Sequence, residues 1–428
     1  MNKIAIIALV FLLSACEQSQ QPVTENHLQT PIIKHHEITG LWRGVLNSPG
    51  GELPFGIDIS KENSVYTAKI LNGEERVDTS SVDFENNELT IHFEWFDARL
   101  KATLNNDGSS MTGQWSKTAS GKDKTSQLPF IATKGYEYRF KQELDASVVT
   151  QIKDQWEVTF TDEDGDSLAV AEFNQSQQIV TGTFLTPTGD YRFLAGSVNN
   201  NKLYLSAFDG AHAFLFDADV NDETIVNGNF WSRDSYHATW IAQASDDTSD
   251  YLPSSWEMNK VTTPDQTVAF SFEDIEGKTV QLTDERFKNK PVLINLFGTW
   301  CPNCNDEAPV LAKFYDQYKP QGIEMVGLAF EFTEDPIRDR VQLSAFKKRH
   351  KINYPLLLAG GNDKTEATKI LGFLDEVKSY PTTLFLDKNH KVVKINTGFS
   401  GPGTGDHYIE LVNELESEIQ NLLAGPME

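Results

Sequence analysis

The chain has 428 residues, with 62 Asp and Glu against 37 Lys and Arg, for a formal net charge of −25. That excess of negative charge excludes a surface built for nucleic acid and disfavours contact with anionic headgroups, because both would be repelled. The length predicts two or three domains, and only three cysteines are present, Cys16, Cys301 and Cys304.

The N-terminus reads Met1-Asn2-Lys3, then an apolar run from Ile4 to Leu13, then Leu13-Ser14-Ala15-Cys16. A positive start, an apolar stretch too short to span a bilayer and small residues before the cleavage point predict a secretory signal over residues 1–16. The Leu-Ser-Ala-Cys ending resembles a bacterial lipobox, which would leave Cys16 as the lipidated first residue. Residues 17–37 are polar with scattered Pro and read as a tether. His35-His36 within it reads as solvated spacer.

Residues 38–244 read almost entirely as β, in short alternating segments divided by Asn-Gly, Asp-Gly and Asn-Asn signals. The segment is duplicated. Trp42 recurs as Trp156, Asn87-x-Leu89 as Asn201-x-Leu203, and Gly113-x-Trp115 as Gly228-x-Phe230, at offsets of 114 or 115 residues. Repeat 1 covers 38–135 and repeat 2 covers 150–244. Eight strands are expected in each, starting near Leu41, Leu53, Val65, Glu75, Glu88, Ala98, Ser110 and Leu128, and near Asp154, Leu168, Gln178, Asp190, Lys202, Ala211, Ile225 and His237. A meander that closes on itself has no exposed edges, so tandem barrels are expected, with face-packed sandwiches as the alternative. The acidic turn Asp162–Asp166 reads as a hairpin turn, since it lacks a full calcium loop. His212 reads as structural.

Residues 245–263 are rich in turn formers and read as a linker. Beyond it the period changes. A hairpin (270–282) is expected to lead into a strand at 292–297, a helix to about Tyr318, a strand at 324–330, a helix near 336–350, a strand at 355–359 and a short helix at 365–371. Strands at 383–387 and 392–397 and a helix near 406–423 close the chain. Strands alternating with helices predict a mixed α/β sheet covered on both faces. Ile409, Val412, Leu415, Ile419 and Leu422 are expected to form the apolar stripe of the last helix.

Chemistry concentrates in Trp300-Cys301-Pro302-Asn303-Cys304. A lone C-x-x-C that follows a buried strand and opens a helix is the sequence form of a dithiol redox site. At the helix N-terminus, free N–H groups and the helix dipole favour the thiolate by about one pKa unit, which makes Cys301 the nucleophile. Cys304, one turn deeper, is placed to resolve the mixed disulfide. Glu307 shares a helix face with Cys304 and is the candidate acid–base group, with a solvated first-turn carboxylate as the alternative; Asp306 is rotated away and reads as solvated. Tyr380-Pro381-Thr382-Thr383 enters a strand directly and is expected to be a cis-proline loop facing the cysteines, with its backbone pairing with a substrate chain. Trp300, Tyr380 and Pro381 are the expected substrate contacts.

From about 264 to 428 the chain resembles the thioredoxin-like domain of the TlpA/ResA family of membrane-tethered, extracytoplasmic thiol-disulfide oxidoreductases. The matching residues are Phe270-x-Phe272-x-Asp274…Gly277-Lys278, the run Phe297 to Cys304, Glu307 with Pro309, and Pro381-Thr382-Thr383. The resemblance implies an acid–base role for Glu307. It also implies an extra strand–helix segment within the 77-residue separation of Cys304 and Pro381. The closing loop Gly398–Gly405, and Tyr191-Arg192-Phe193…Phe208-Asp209-Gly210-Ala211-His212-Ala213-Phe214, resemble large two-part members. Where thioredoxin itself has a buried aspartate, this chain has Asn295, so proton transfer falls to Glu307 or water. Tyr380 stands where smaller residues are common and would narrow access.

The expected fold is thus multidomain: tandem all-β meander repeats of barrel-like form, then an α/β thioredoxin-like domain. The expected function is that of a lipid-anchored thiol-disulfide oxidoreductase of the bacterial cell envelope, facing the periplasm. It would reduce disulfides of cysteine-containing envelope proteins and be recharged by a membrane electron donor, with an isomerase or an oxidase as the alternatives, since Pro302-Asn303 does not fix the potential. No cofactor beyond the cysteine pair, no metal site and no nucleic-acid partner are expected. A zinc site would need four ligands, and one C-x-x-C with nine scattered histidines does not supply them. The competing class is a ligand- or partner-binding envelope lipoprotein in which the β repeats bind and the redox domain regulates.

Overall fold

The computed structural model describes residues 37–118, 125–140, 150–263, 267–333 and 335–425. The leader, Cys16 and all of the tether but its last residue lie outside them. Among the described residues no helix is long and apolar enough to cross a membrane.

Nine strands form repeat 1: β1 (Gly40–Ser48), β2 (Gly51–Glu62), β3 (Val65–Asn72), β4 (Glu75–Asp78), β5 (Ser81–Glu85), β6 (Glu88–Phe93), β7 (Ala98–Leu104), β8 (Ser110–Thr118) and β9 (Thr125–Lys134). Repeat 2 follows the same plan with β10 (Gln155–Asp162), β11 (Gly165–Ser176), β12 (Ile179–Thr186), β13 (Gly189–Asp190), β14 (Leu194–Asn199), β15 (Lys202–Phe208), β16 (Ala213–Val220), β17 (Thr224–Ser232) and β18 (Tyr236–Ala244). β2 pairs with β3 and β1 with β9, so eight strands close into an antiparallel barrel with β4 appended to β3; in repeat 2, β13 is appended to β12 in the same way. Barrels, not sandwiches, are what the chain forms.

The expected strand count is corrected in one respect. The strands expected at Glu75 and Asp190 are the appendages, and the rings are completed by β5 and β14. β5 is five residues long and follows β4 after only Thr79-Ser80, and β14 is buried at nearly every position, so neither announces itself by a long alternating pattern. By contrast β7 alternates strictly between buried and exposed positions.

The barrel interiors are packed with side chains. Trp42 and Trp115 fill the first and Trp156 and Trp240 the second, all essentially inaccessible. Phe160, Phe184, Phe216 and Phe230 complete the second core, with Phe216 and Phe230 stacked at 4.3 Å. Phe208 of repeat 2 enters the core of barrel 1 instead, against Phe55 at 4.4 Å, Phe93 at 5.8 Å and Trp115 at 5.9 Å. The Trp115 indole N–H donates to the Gly210 carbonyl at 3.1 Å, so the Phe208–Ala213 segment joins the two barrels. Asp162–Gly165 is the hairpin turn between β10 and β11.

The last domain is a seven-stranded sheet ordered β20-β19-β23-β22-β21-β24-β25. Its strands are β19 (Ser271–Asp274), β20 (Thr279–Gln281), β21 (Val292–Phe297), β22 (Glu324–Glu331), β23 (Leu356–Gly361), β24 (Thr382–Leu386) and β25 (Val392–Thr397). Its helices are α1 (Pro302–Tyr318), α2 (Pro336–Arg349), α3 (Lys364–Leu371) and α4 (Asp406–Ala424). Central β21 is buried throughout, which is why it reads as an unbroken apolar run. On α4 the buried stripe is Leu411, Leu415 and Ile419; Ile409, expected to belong to it, is 54% exposed because the i, i+4 row starts two residues later. The linker is tied down: Ser255 accepts the Thr397 N–H, and Asn259 bonds to Asp375.

Candidate active site

β21 ends at Phe297, and the turn after it delivers Cys301 to the N-cap of α1, with Pro302 in the first helical turn. Proline suits that position because its missing N–H would have no helical partner there. Cys301 and Cys304 are joined as a disulfide with Cα atoms 5.2 Å apart. The Cys304 N–H donates to the Cys301 sulfur at 3.2 Å, the contact that stabilises a thiolate there. Cys301 is 4% exposed and Cys304 2%.

The Tyr380–Pro381 peptide is cis, and the Tyr380 carbonyl oxygen lies 3.5 Å from the Cys301 sulfur. The Tyr380 ring turns away from that contact and packs against Phe330 and Trp300. Its backbone, not its ring, faces the sulfur. Trp300 is half-buried, stacks on Phe332 at 4.6 Å and donates its indole N–H to the Phe330 carbonyl.

Glu307 is 1% exposed beneath the cysteines. Asn295 Nδ2 donates to one carboxylate oxygen at 2.7 Å, and the Thr383 hydroxyl donates to the other at 2.9 Å. Burial pushes its pKa up to about 7, with the two hydrogen bonds pulling the other way. Asn295 therefore orients the acid, and Thr383 links it to the cis-proline loop. A second buried carboxylate, Glu331, accepts from the Thr299 N–H and hydroxyl and is likewise pushed up to about 7 by burial. Asn305 donates to the carbonyls of Thr299 and Cys301 and is held by His350, which burial and Arg349 push down to about 3.

Asp306 is a correction. Its side chain is only 16% exposed and ion-pairs with Arg192 of repeat 2. The same guanidinium meets Glu75 of repeat 1 at 2.7 Å and Asp209 at 3.2 Å, so one side chain joins both barrels to the helix carrying the cysteines. Burial and the neighbouring carboxylates Asp190, Glu75 and Asp209 push Asp306 up to about 7 against the pull of Arg192. Helical phase turned Asp306 away from Cys304 correctly; what it met there depended on the barrels. Asp209 also binds His212 at 3.0 Å, which gives that histidine its structural partner.

The barrels approach the cysteine turn itself. At Gly189 of β13 a Cβ would fall 1.7 Å from Asn303 Nδ2, so the strand sits directly against the Cys-Pro-Asn-Cys turn and a larger residue there would displace the Asn303 side chain. A cavity of about 680 Å³ remains between Trp300 and Pro302 on one side and both barrels on the other. Lys117 and Arg233, which line it, were not singled out by motif, since an isolated basic residue on a strand carries no sequence signal.

A model of the AhpC/TSA family matches residues 263–395. The chain is 28% identical over 148 residues to the thiol-disulfide oxidoreductase ResA of Halalkalibacterium halodurans, covering 35% of this chain and 76% of that protein. It is 30% identical over 148 residues to ResA of Bacillus subtilis, covering 35% of this chain and 74% of that one. Among solved structures, a thioredoxin-family thiol:disulfide interchange protein from Chlorobium tepidum is matched over 35% of this chain and 97% of that one, at 23% identity and a TM-score of 0.27. With its cysteine pair capping α1 and facing a cis-proline, and with these ResA relatives, the chain belongs to the ResA-like thiol-disulfide oxidoreductases of the thioredoxin fold, here carrying two closed β-barrels ahead of the redox domain.

Proposed function

We propose that this oxidoreductase works as a reductant of disulfides in cysteine-containing proteins of the bacterial cell envelope, held at the membrane by lipid on Cys16 and facing the periplasm. The observation that carries the chemical part is the Cys301 sulfur at the cap of α1, with the Tyr380 carbonyl of the cis Tyr380–Pro381 peptide 3.5 Å away. In the reduced protein the Cys301 thiolate attacks one sulfur of a substrate disulfide, and the other substrate sulfur leaves as thiolate. Cys304, deprotonated, then attacks the Cys301 sulfur, which releases the second substrate thiol and leaves the internal disulfide. Two electrons pass to the substrate, and no cofactor beyond the pair takes part. A membrane dithiol donor must return those electrons, because the periplasm is kept oxidising. The leader sequence ending at Cys16 supports the anchored location.

The test has two arms. The midpoint potential of the Cys301/Cys304 couple is expected near ~ −270 mV, and a value near ~ −120 mV would mark an oxidant instead. Cys16→Ala is expected to move the protein from the membrane to the soluble fraction; unchanged partitioning removes the lipid from the account.

Glu307 is proposed to take the proton of Cys304 as it attacks. With a pKa of about 7 the carboxylate ionises as pH rises through neutrality, so the release step accelerates across that range. Glu307→Gln is expected to slow release by about 10²-fold and flatten the profile between pH 6 and 8. A single-turnover pH–rate profile matching the parent would remove Glu307 from the mechanism.

A further inference from the structure

The cavity beside the cysteines carries two cationic side chains, although the chain as a whole has a net charge of −25. Lys117 is 3% exposed, and its ammonium donates to the Phe96 carbonyl at 3.2 Å. Among the described residues no carboxylate lies within ion-pairing distance of it. Arg233 lines the same cavity and forms no ion pair or side-chain hydrogen bond with a described residue. The neighbouring Asp234 spends its oxygens on the Ser126 hydroxyl and the Gln127 N–H, which clips this turn of barrel 2 to barrel 1. A buried cation without a counter-ion is costly, and a second cation facing the same space adds to that cost unless an anion enters between them. Burial and then Arg233 push Lys117 down to about 7, against the upward pull of Asp209 and Asp97, whose own ion pairs are with Arg192 and Arg338.

The position of the pair relative to the sulfur gives that anion a meaning. The Lys117 ammonium lies 5.7 Å from the centre of the Phe332 ring, and Phe332 stacks on Trp300, the residue before Cys301. Pro302, the residue after it, lines the same cavity. An anion held by Lys117 and Arg233 would therefore lie against the Trp300 and Pro302 wall of the turn that carries Cys301. Its size, about 680 Å³, suits one side chain with its flanking backbone or one small disulfide.

Building on the proposed reductase reading, we infer that Lys117 and Arg233 form a carboxylate subsite, so that the preferred substrates are peptidyl disulfides with an acidic group next to the reacting cysteine. The barrels thus supply specificity to the dithiol they cover. The anionic group of a peptidyl disulfide is a carboxylate, whether from an Asp or Glu neighbour in a chain or from a small free peptide.

The test uses the full chain, reduced and freed of excess reductant, against two matched pairs of probes. One pair is the disulfide dimer of Gly-Cys-Glu and that of Gly-Cys-Gln, blocked at both ends. The other is oxidised glutathione and its fully esterified form. The parent is expected to reduce the acidic member of a pair about tenfold faster, a difference of about 1.4 kcal/mol at 25 °C. In Lys117→Gln/Arg233→Gln that ratio is expected to fall below about twofold, and in Lys117→Arg to persist, since arginine keeps the positive charge and the N–H donors that hold a carboxylate. Circular dichroism confirms that each variant is folded. A preference confined to the blocked peptides supports the subsite and assigns it to extended chains; one shown with glutathione supports it and assigns it to small disulfides. Equal rates within both pairs overturn the subsite alone, as does a preference that survives the double variant. A parent that reduces no probe overturns the reductase reading and the subsite with it.

Discussion

Replacing Cys304 with alanine is expected to arrest the protein as a covalent adduct with its substrate through Cys301. Cys301 occupies the helix cap, where the Cys304 N–H already points at its sulfur, while Cys304 sits one turn deeper at 2% exposure. The outer sulfur can attack without the inner one, but release depends on a thiol already positioned against the mixed disulfide. Positioned groups of this kind act at effective concentrations of about 10⁵ M or more, whereas external thiol is millimolar and must pass the barrel walls. Turnover should therefore fall at least ~10³-fold while the first bond still forms. Mass spectrometry under non-reducing conditions should place one substrate molecule on Cys301, with Cys16 the sole other cysteine in that variant. Undiminished turnover in Cys304→Ala would overturn the assignment of nucleophile and resolving thiol.

Arg192→Met is expected to destabilise the protein by about 3–5 kcal/mol and to loosen the barrels from the redox domain. The guanidinium is the counter-charge for Glu75, Asp209 and Asp306, all well covered, and its removal leaves three carboxylates facing one another. The loss should depend on pH, with a sign that follows from Asp306. Its folded-state pKa, about 7, stands above the ordinary carboxylate value, so its contribution to stability is present in acid and is lost as pH rises through 7. Without Arg192 the cluster resists ionisation further, so the deficit should be larger at pH 8 than at pH 5. Urea unfolding at the two pH values checks this. Faster alkylation of reduced Cys301 in the variant would show that the walls have opened. Equal stability of variant and parent at pH 8 would mean that the ion cluster does not hold the domains together.

The redox domain was legible because its signals are local. An unbroken apolar run marked β21, Pro302 behind Cys301 marked the start of α1, and Pro381 before a β-branched pair marked the loop that faces it. The duplication was legible because Trp42 and Trp156 occupy matching positions in two cores. Within the barrels, β5 and β14 escaped because one is too short and the other too uniformly buried to show a period of two. Asp306 escaped for a different reason: its partner lies 114 residues away, and no helical phase announces a guanidinium from another domain.

The amino-acid sequence by itself determined the chemistry, since a thiol pair at a helix cap takes its reactivity from neighbours within one turn and from backbone N–H groups. It also determined the order of the strands and helices other than β5 and β14, because most elements announce themselves by a periodic or an unbroken apolar pattern. Only the tertiary structure decided what surrounds that pair. Asn295 and Thr383 reach Glu307 from two different strands, Arg192 ties three domains together, and Lys117 and Arg233 meet at one cavity beside Cys301. Charges so far apart along the chain act on one another only after packing has brought them together and removed the water between them.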